Sequence, residues 1–154
     1  MPPSTGTISY QLNERPLDIE SVYKHVAIAT PYMDLIEEFT LMEQIKFHFK
    51  LRRPRNNMTA EEILEKMQLL HARDKYLSNF SSGMRQRVKL ALAFFTEADT
   101  IFLDEPSTNL DKPSFDWYRA NLEALPPGCL TIIASNQSAE YPETAEKVDV
   151  THFK

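Results

Sequence analysis

An α/β fold with parallel strands follows from three features of the sequence. Thr100, Ile101, Phe102 and Leu103 form a short apolar, β-prone run that ends in two adjacent acids, Asp104 and Glu105. This is the pattern of a buried parallel strand presenting carboxylates at its C-terminal end, where open α/β sheets place their ligands. A strongly apolar helical segment precedes the run, and a second helical segment followed by another apolar run, residues 130–134, comes after it. Strand, helix and strand in that order make a right-handed crossover between parallel strands.

The remaining elements can be read in chain order. Residues 7–12 alternate and are rich in strand formers, Asn13, Glu14, Arg15 and Pro16 break the run, and residues 26–30 form a second apolar run stopped by Pro31. Two strands around a polar connection are expected there. The period then changes: Thr40 with Glu43 is a capping-box pattern, and Leu41, Ile45, Phe47 and Phe49 predict a helix with an aromatic face. Thr59 with Glu62 repeats the box and starts another helix, in which Ile63, Leu64, Met67 and Leu70 share one apolar face. Between residues 82 and 95, Val88, Leu90, Ala91, Leu92, Ala93, Phe94 and Phe95 nearly encircle the axis, which predicts a buried helix. After Asp111, Pro113 stands near a helix start, and Pro126, Pro127 and Gly128 stop the partly amphipathic helix built on Phe115, Trp117, Tyr118, Leu122 and Leu125. Residues 130–134 are then expected to form a buried strand.

Composition narrows the function classes. A chain of 154 residues with 42% hydrophobic content is one domain's worth of sequence. A formal charge of -5 and a pI near 5.4 argue against a nucleic-acid partner, since phosphate contacts need clustered Lys and Arg. The short cluster of Lys50, Arg52, Arg53 and Arg55 reads as a solvated loop between helices. The single cysteine, Cys129, forms no internal disulfide and reads as a small buried hydrophobe, compatible with a reducing cytoplasm. His25, His48, His71 and His152 show no metal-ligand spacing, and no apolar run is long enough to span a bilayer. Any membrane association is expected to come through a partner.

Ser81 and Ser82 stand where the buried helix begins, so their hydroxyls and the free backbone N–H groups offer an anion site, and Gly83 permits close backbone approach. Asp104 and Glu105 suit magnesium and water.

The block Phe80-Ser81-Ser82-Gly83-Met84-Arg85-Gln86-Arg87 resembles the signature motif of the ATP-binding cassette (ABC) ATPases. The stretch from Thr100 to Asp111, with Asp104-Glu105-Pro106-Ser107-Thr108-Asn109-Leu110-Asp111, resembles their Walker B strand and D-loop, in matching order and spacing. The resemblance covers nearly the whole chain and implies a P-loop NTPase-like core with parallel strands, a helical subdomain and the remnant of an N-terminal antiparallel β region. Residues 1–32 would be the β region with a Q-loop-like end, 33–80 the helical subdomain, and 81–154 the signature, Walker B, D-loop and switch region.

By the same resemblance, Ser81, Ser82, Gly83 and Met84 would contact ATP held by an opposite subunit, and Asp111 would cross the dimer interface. Asp104 would hold magnesium through water, and Glu105 would polarise the attacking water. Four positions depart from the family pattern: Ser82 replaces the commoner glycine, Met84 a glutamine, Tyr32 the Q-loop glutamine and Asn136 the switch histidine. An asparagine amide can hydrogen-bond phosphate or water but carries no positive charge. The phosphate loop, Gly-x-x-x-x-Gly-Lys-Ser/Thr, is missing, because none of the 3 glycines, Gly6, Gly83 and Gly128, precedes a lysine. The opening residues Pro3-Ser4-Thr5-Gly6 resemble the turn that follows the phosphate-loop helix, so the expectation is a cassette lacking its N-terminal strand, loop and helix.

The function implied is that of the ATP-binding and ATP-hydrolysing subunit of an ABC transporter, using ATP and magnesium. It would work as a dimer with a second ABC ATPase subunit and a transmembrane permease, on the cytoplasmic face of the cell membrane. The alternative is a degenerate, non-hydrolysing domain that contributes only its signature face to a complete partner. A cassette acting on DNA or ribosomes is the weaker fit, for neither a coiled-coil insertion nor a tandem cassette is present.

Overall fold

A computed structural model describes residues 5–153; Pro3 and Ser4, at the start of the turn expected before the first strand, lie outside it. Strands β1 (Tyr10–Leu12) and β2 (Arg15–Leu17) form an antiparallel hairpin. Its two-residue turn is Asn13 and Glu14, at φ 50° and 64°, the doubly left-handed geometry whose twist matches that of the flanking strands. The polar residues expected to end a strand instead fold it back, and Pro16 is accommodated because an edge strand need not donate at every position. A one-turn helix, α1 (Val22–His25), leads into β3 (Val26–Ala29).

Helices α2 (Leu41–Leu51) and α3 (Ala60–Lys66) both start at capping boxes. The Thr40 N–H donates to Glu43 Oε2 at 2.8 Å and the Thr59 N–H to Glu62 Oε2 at 2.7 Å, which satisfies donors that a helix start leaves free. In α2 the aliphatic residues Leu41, Met42 and Ile45 are buried, whereas Phe47 is half exposed and packs edge-on against Phe39. The aromatic face is therefore only partly internal. Helix α3 is shorter than its apolar spacing predicts. Gln68, at φ 57°, takes the chain out of helical geometry, so Leu69 turns inward and Leu70 is left 54% exposed.

Helix α4 (Ser82–Phe94) is buried almost all round, as its sequence requires. It runs into β4 (Thr100–Asp104), and α5 (Lys112–Glu123) then leads to β5 (Leu130–Ala134). The three strands form a parallel sheet in the order β3-β4-β5, with Ala29 opposite Leu103 and Asp104 opposite Ala134. Phe94 packs against Trp117 and Tyr118, tying α4 to α5.

Among the described residues, only one face of this sheet is covered. Ala27, Ala29, Ile101 and Leu103 are buried, but Ile28, Phe102 and Ile132, which are register partners across the three strands, are 48%, 38% and 43% exposed. Strand β5, expected to be buried, is exposed or half-exposed along its length and pairs only with β4 among the described residues. Parallel sheets are ordinarily covered on both faces, and here this apolar row faces solvent.

The basic cluster also differs from a solvated loop. Arg52 donates to the Val26 carbonyl at 2.9 Å, and Arg55 donates to the Phe94 and Thr96 carbonyls at 3.1 and 3.0 Å. Arg55 thereby satisfies carbonyls left open at the end of α4, a position that favours cations. Cys129 is half-buried, its Sγ 3.5 Å from the Ala98 carbonyl.

His48 is the group whose ionisation should be most visible in stability. The Thr96 hydroxyl donates to the Leu92 carbonyl at 2.6 Å, so it accepts from His48 Nε2–H at 2.9 Å. Burial, reinforced by nearby Arg52, lowers the pKa of His48 to about 4 from an ordinary 6.5. The unfolded chain takes up this proton first, so stability is fully present above pH 6.5 and falls as the pH drops toward 4. The loss should be on the order of 2 to 3 kcal/mol. His48→Gln, which keeps a donor for Thr96 but does not titrate, should flatten the melting temperature over that range. Equal slopes for the two proteins would contradict the assignment.

Candidate functional site

Three loops leave the carboxyl edge of the sheet side by side, after β3, β4 and β5. Glu105 N–H donates to the Ala134 carbonyl at 2.9 Å and extends the β4–β5 ladder by one residue. Glu105 then takes φ 41°, an uncommon value for a bulky residue, and the Thr108 N–H closes the turn on the Glu105 carbonyl at 3.1 Å. Asp104 is half-buried at the strand end, while the Glu105 carboxylate is exposed. Asn136 lies two residues beyond Ala134 and is exposed. The turn there is closed by Ser135, whose Oγ accepts from the Gln137 N–H at 2.8 Å, and among the described residues the Asn136 amide makes no hydrogen bond. Tyr32 stands on the same edge, 87% exposed beyond the end of β3. Lys89 Nζ donates to the Pro31 carbonyl at 2.7 Å and so anchors the loop that carries it.

Among the described residues no three His, Cys, Asp or Glu side chains converge as a protein-only metal cage. A single half-buried aspartate beside an exposed glutamate fits magnesium instead, which keeps several waters and is bound by one or two carboxylates together with phosphate oxygens.

A second group assembles elsewhere. Ser81, Ser82, Gly83, Met84, Asn109 and Asp111 line a cavity of about 520 Å³ that includes neither Asp104 nor Glu105. Ser81 caps α4, its Oγ accepting from the Met84 N–H at 3.3 Å, and Ser82 is exposed beside it. Met84 leans on the core. Asp111 caps α5 by accepting from the Ser114 N–H at 3.0 Å. Hydrogen bonds from Ser114, helped by the charge of nearby Arg87, hold its carboxyl below the usual carboxylate range. The close approach that Gly83 permits is to the chain itself: an added Cβ would stand 2.7 Å from the Asn109 carbonyl oxygen.

Among the buried polar residues of the described chain, Gln86, Arg87 and Glu140 tie the site's loops to the core without a role that the sequence pattern assigns them. Gln86 Nε2 donates to the Pro106 carbonyl at 3.0 Å, and Arg87 donates to Ser114 Oγ at 2.8 Å while lying over the Trp117 ring. Glu140, fully buried, accepts from Ser107. The available signal for the first two was a polar pair interrupting an apolar helix; Glu140 sits in a polar stretch with no such contrast.

Comparison with known proteins gives the fold and the family. The structure superposes on a Pyrococcus furiosus chain described as an ABC transporter ATP-binding protein with a TM-score of 0.67 at 21% identity, covering 82% of this chain and 63% of that one. The family profile described as ABC transporter matches residues 1–108. The chain is 34% identical over 161 aligned positions to the sulfate/thiosulfate import ATP-binding protein CysA of Thermosynechococcus vestitus, covering 96% of this chain and 45% of that protein. It is 36% identical over 102 positions to the daunorubicin resistance ATP-binding protein DrrA2 of Streptomyces coeruleorubidus, covering 66% of this chain and 30% of that protein. The fold is that of an ABC ATPase, a parallel sheet with a small antiparallel one. The chain belongs to the ABC transporter family, on its ATP-binding side, and spans less than half the length of these two relatives. No helix among the described residues is long and apolar enough to cross a membrane.

Gly83→Ala should lower stability by roughly 1 to 3 kcal/mol, the usual range for overpacking, because either α4 or the loop of residues 105–111 must give way. Gly128, where an added Cβ meets nothing within 4 Å, is the control, and Gly128→Ala should leave the melting temperature nearly unchanged. Equal melting temperatures for both variants would remove the contact from the account.

Proposed function

We propose that this chain is the signature and Walker B portion of an ABC transporter ATPase subunit, and that it becomes a nucleotide site only when a phosphate-loop strand and helix cover its open sheet. The observation that carries this is the solvent-exposed row Ile28, Phe102 and Ile132, lying across the sheet that ends in Asp104 and Glu105. A groove of about 760 Å³, lined by both apolar and polar side chains, runs beside β5 between Leu122, Leu125, Tyr141 and Val148. A parallel strand on that edge, followed by a helix over the row, would complete both the core and the catalytic edge, whether it comes from a longer polypeptide or from a partner.

In the completed site, Asp104 holds magnesium through water and Glu105 accepts a proton from the attacking water. Asn136 and Tyr32 flank the same edge, where the Asn136 amide is free to orient a phosphate oxygen or water. Magnesium, when bound, neutralises phosphate charge. Ser81, Ser82, Gly83, Met84 and Asp111, grouped in their own cavity, face ATP held by a second ABC ATPase subunit. A transmembrane permease engages the helical subdomain of residues 33–80, which places the assembly at the cytoplasmic face of a membrane. A second reading, a non-hydrolysing partner offering only its signature face, is favoured by Tyr32 and Asn136 standing where the family has glutamine and histidine.

Calorimetry should find little or no Mg-ATP binding to the 154-residue chain, for it lacks the backbone cradle and lysine that grip phosphates. A chain extended by a phosphate-loop strand and helix should bind nucleotide and hydrolyse it. In that extended chain Glu105→Gln should keep binding while turnover falls by about 10² to 10⁴, the typical contribution of a general base. Asn136→His should raise turnover by about tenfold, or roughly 1.4 kcal/mol of barrier. Steady phosphate release from the Gln variant would remove Glu105 from its role, and absence of hydrolysis in both the extended chain and its Asn136→His variant would favour the non-hydrolysing partner.

A further inference from the structure

Glu140 is fully buried and none of the roles above employs it. One carboxylate oxygen, Oε1, accepts from the Ser107 N–H at 2.8 Å and also from the Ser107 hydroxyl. The other, Oε2, is buried and has no hydrogen-bond partner among the described residues. Both hydrogen bonds come from Ser107, so this one residue is all that satisfies a carboxylate sealed from water, and losing it would leave the group unpaired. Bonds to an ionised acceptor are about twice as strong as neutral ones.

The position of this attachment gives it meaning. Ser107 lies within the tight turn that carries Glu105 at one end and Asp111 at the other, and its own carbonyl accepts from the Leu110 N–H at 2.9 Å. Glu140 closes the short helical turn of residues 138–140, which begins two residues after Asn136, with its N–H donating to the Gln137 carbonyl at 3.1 Å. That turn is bolted to α5 twice, by the Tyr118 hydroxyl donating to the Glu140 carbonyl at 2.5 Å and by Arg119 donating to the Ala139 carbonyl at 3.1 Å. Burial, with the Glu140 charge nearby, holds the Tyr118 phenol above its ordinary range and keeps it a donor. One carboxylate therefore joins the loop after β4 to the loop after β5.

We infer that Glu140 is a positioning residue that makes the loop bearing Glu105 and Asp111 and the segment bearing Asn136 move as one body. Its catalytic consequence rests on the function proposed above; the coupling itself does not. Movement of the signature-facing cavity at Asp111 would thus be transmitted to the phosphate-facing edge at Asn136 without passing through the sheet.

Amide exchange measured by NMR on the 154-residue chain without nucleotide tests this, so a failed coupling leaves the ATPase reading standing, and the reverse. Glu140→Ala should speed exchange in residues 105–111 and 135–138 together, by roughly 10- to 100-fold, the loss expected for hydrogen bonds to a charged group. Helices α2 and α3 should keep their protection. Glu140→Gln, which retains an acceptor for Ser107, should restore most of the protection. Ser107→Ala, which removes only the hydroxyl bond, should give a smaller increase in the same two segments, and it carries the test if Glu140→Ala does not fold. Acceleration confined to one segment, no acceleration in either, or a uniform rise that includes α2 and α3 would overturn the inference.

Discussion

The loop that follows the central strand is the constraint on which the candidate site hangs. Strand β4 is paired on both sides, so its end is fixed, and the chain leaving it is held from three directions. Gln86 of the buried helix takes the Pro106 carbonyl, Gly83 lies against the Asn109 carbonyl, and Glu140 takes Ser107. The contacts of Gln86 and Glu140 use polar groups sealed from water, where a lost partner costs more than the bond itself is worth on balance. Helix α4, the acidic strand end and the segment after β5 are therefore positioned by one short turn.

This arrangement sorts the site residues into two groups on one rigid frame. Asp104, Glu105, Asn136 and Tyr32 lie along the carboxyl edge of the sheet, whereas the start of α4 and Asp111 share a separate cavity. A single nucleotide bound by one chain need not touch both. The division suits a composite site in which each subunit supplies acids to its own nucleotide and a helix start to its neighbour's. The exposed row lies across the same sheet whose carboxyl edge carries the two acids.

Much of this was legible in the sequence, for stated physical reasons. Both capping boxes are present at Thr40 and Thr59, the encircling apolar pattern of α4 is buried, and the run into Asp104 is a parallel strand. These signals are local, since a cap or a period needs only its neighbours. What was not legible depends on distant partners or on backbone angles that side-chain type does not dictate. Leu70 fits the helical period of α3 but is exposed because Gln68 adopts a left-handed conformation. Asn13 and Glu14 read as a break and are a hairpin turn. Arg52 and Arg55 read as solvated charges and instead brace carbonyls. Apolar residues 130–134 predicted burial, yet burial requires a covering layer, and periodicity cannot say whether one is there.

The central claim is that the cavity at the start of α4 belongs to a nucleotide held by another subunit. Sedimentation of the chain extended by a phosphate-loop strand and helix and carrying Glu105→Gln, with Mg-ATP present, tests it most directly. The account predicts an ATP-dependent dimer that Ser81→Arg dissolves while nucleotide binding by each monomer persists, because the bulky side chain blocks only the facing site. A nucleotide-bound species that stays monomeric, or a dimer indifferent to Ser81→Arg, would contradict it.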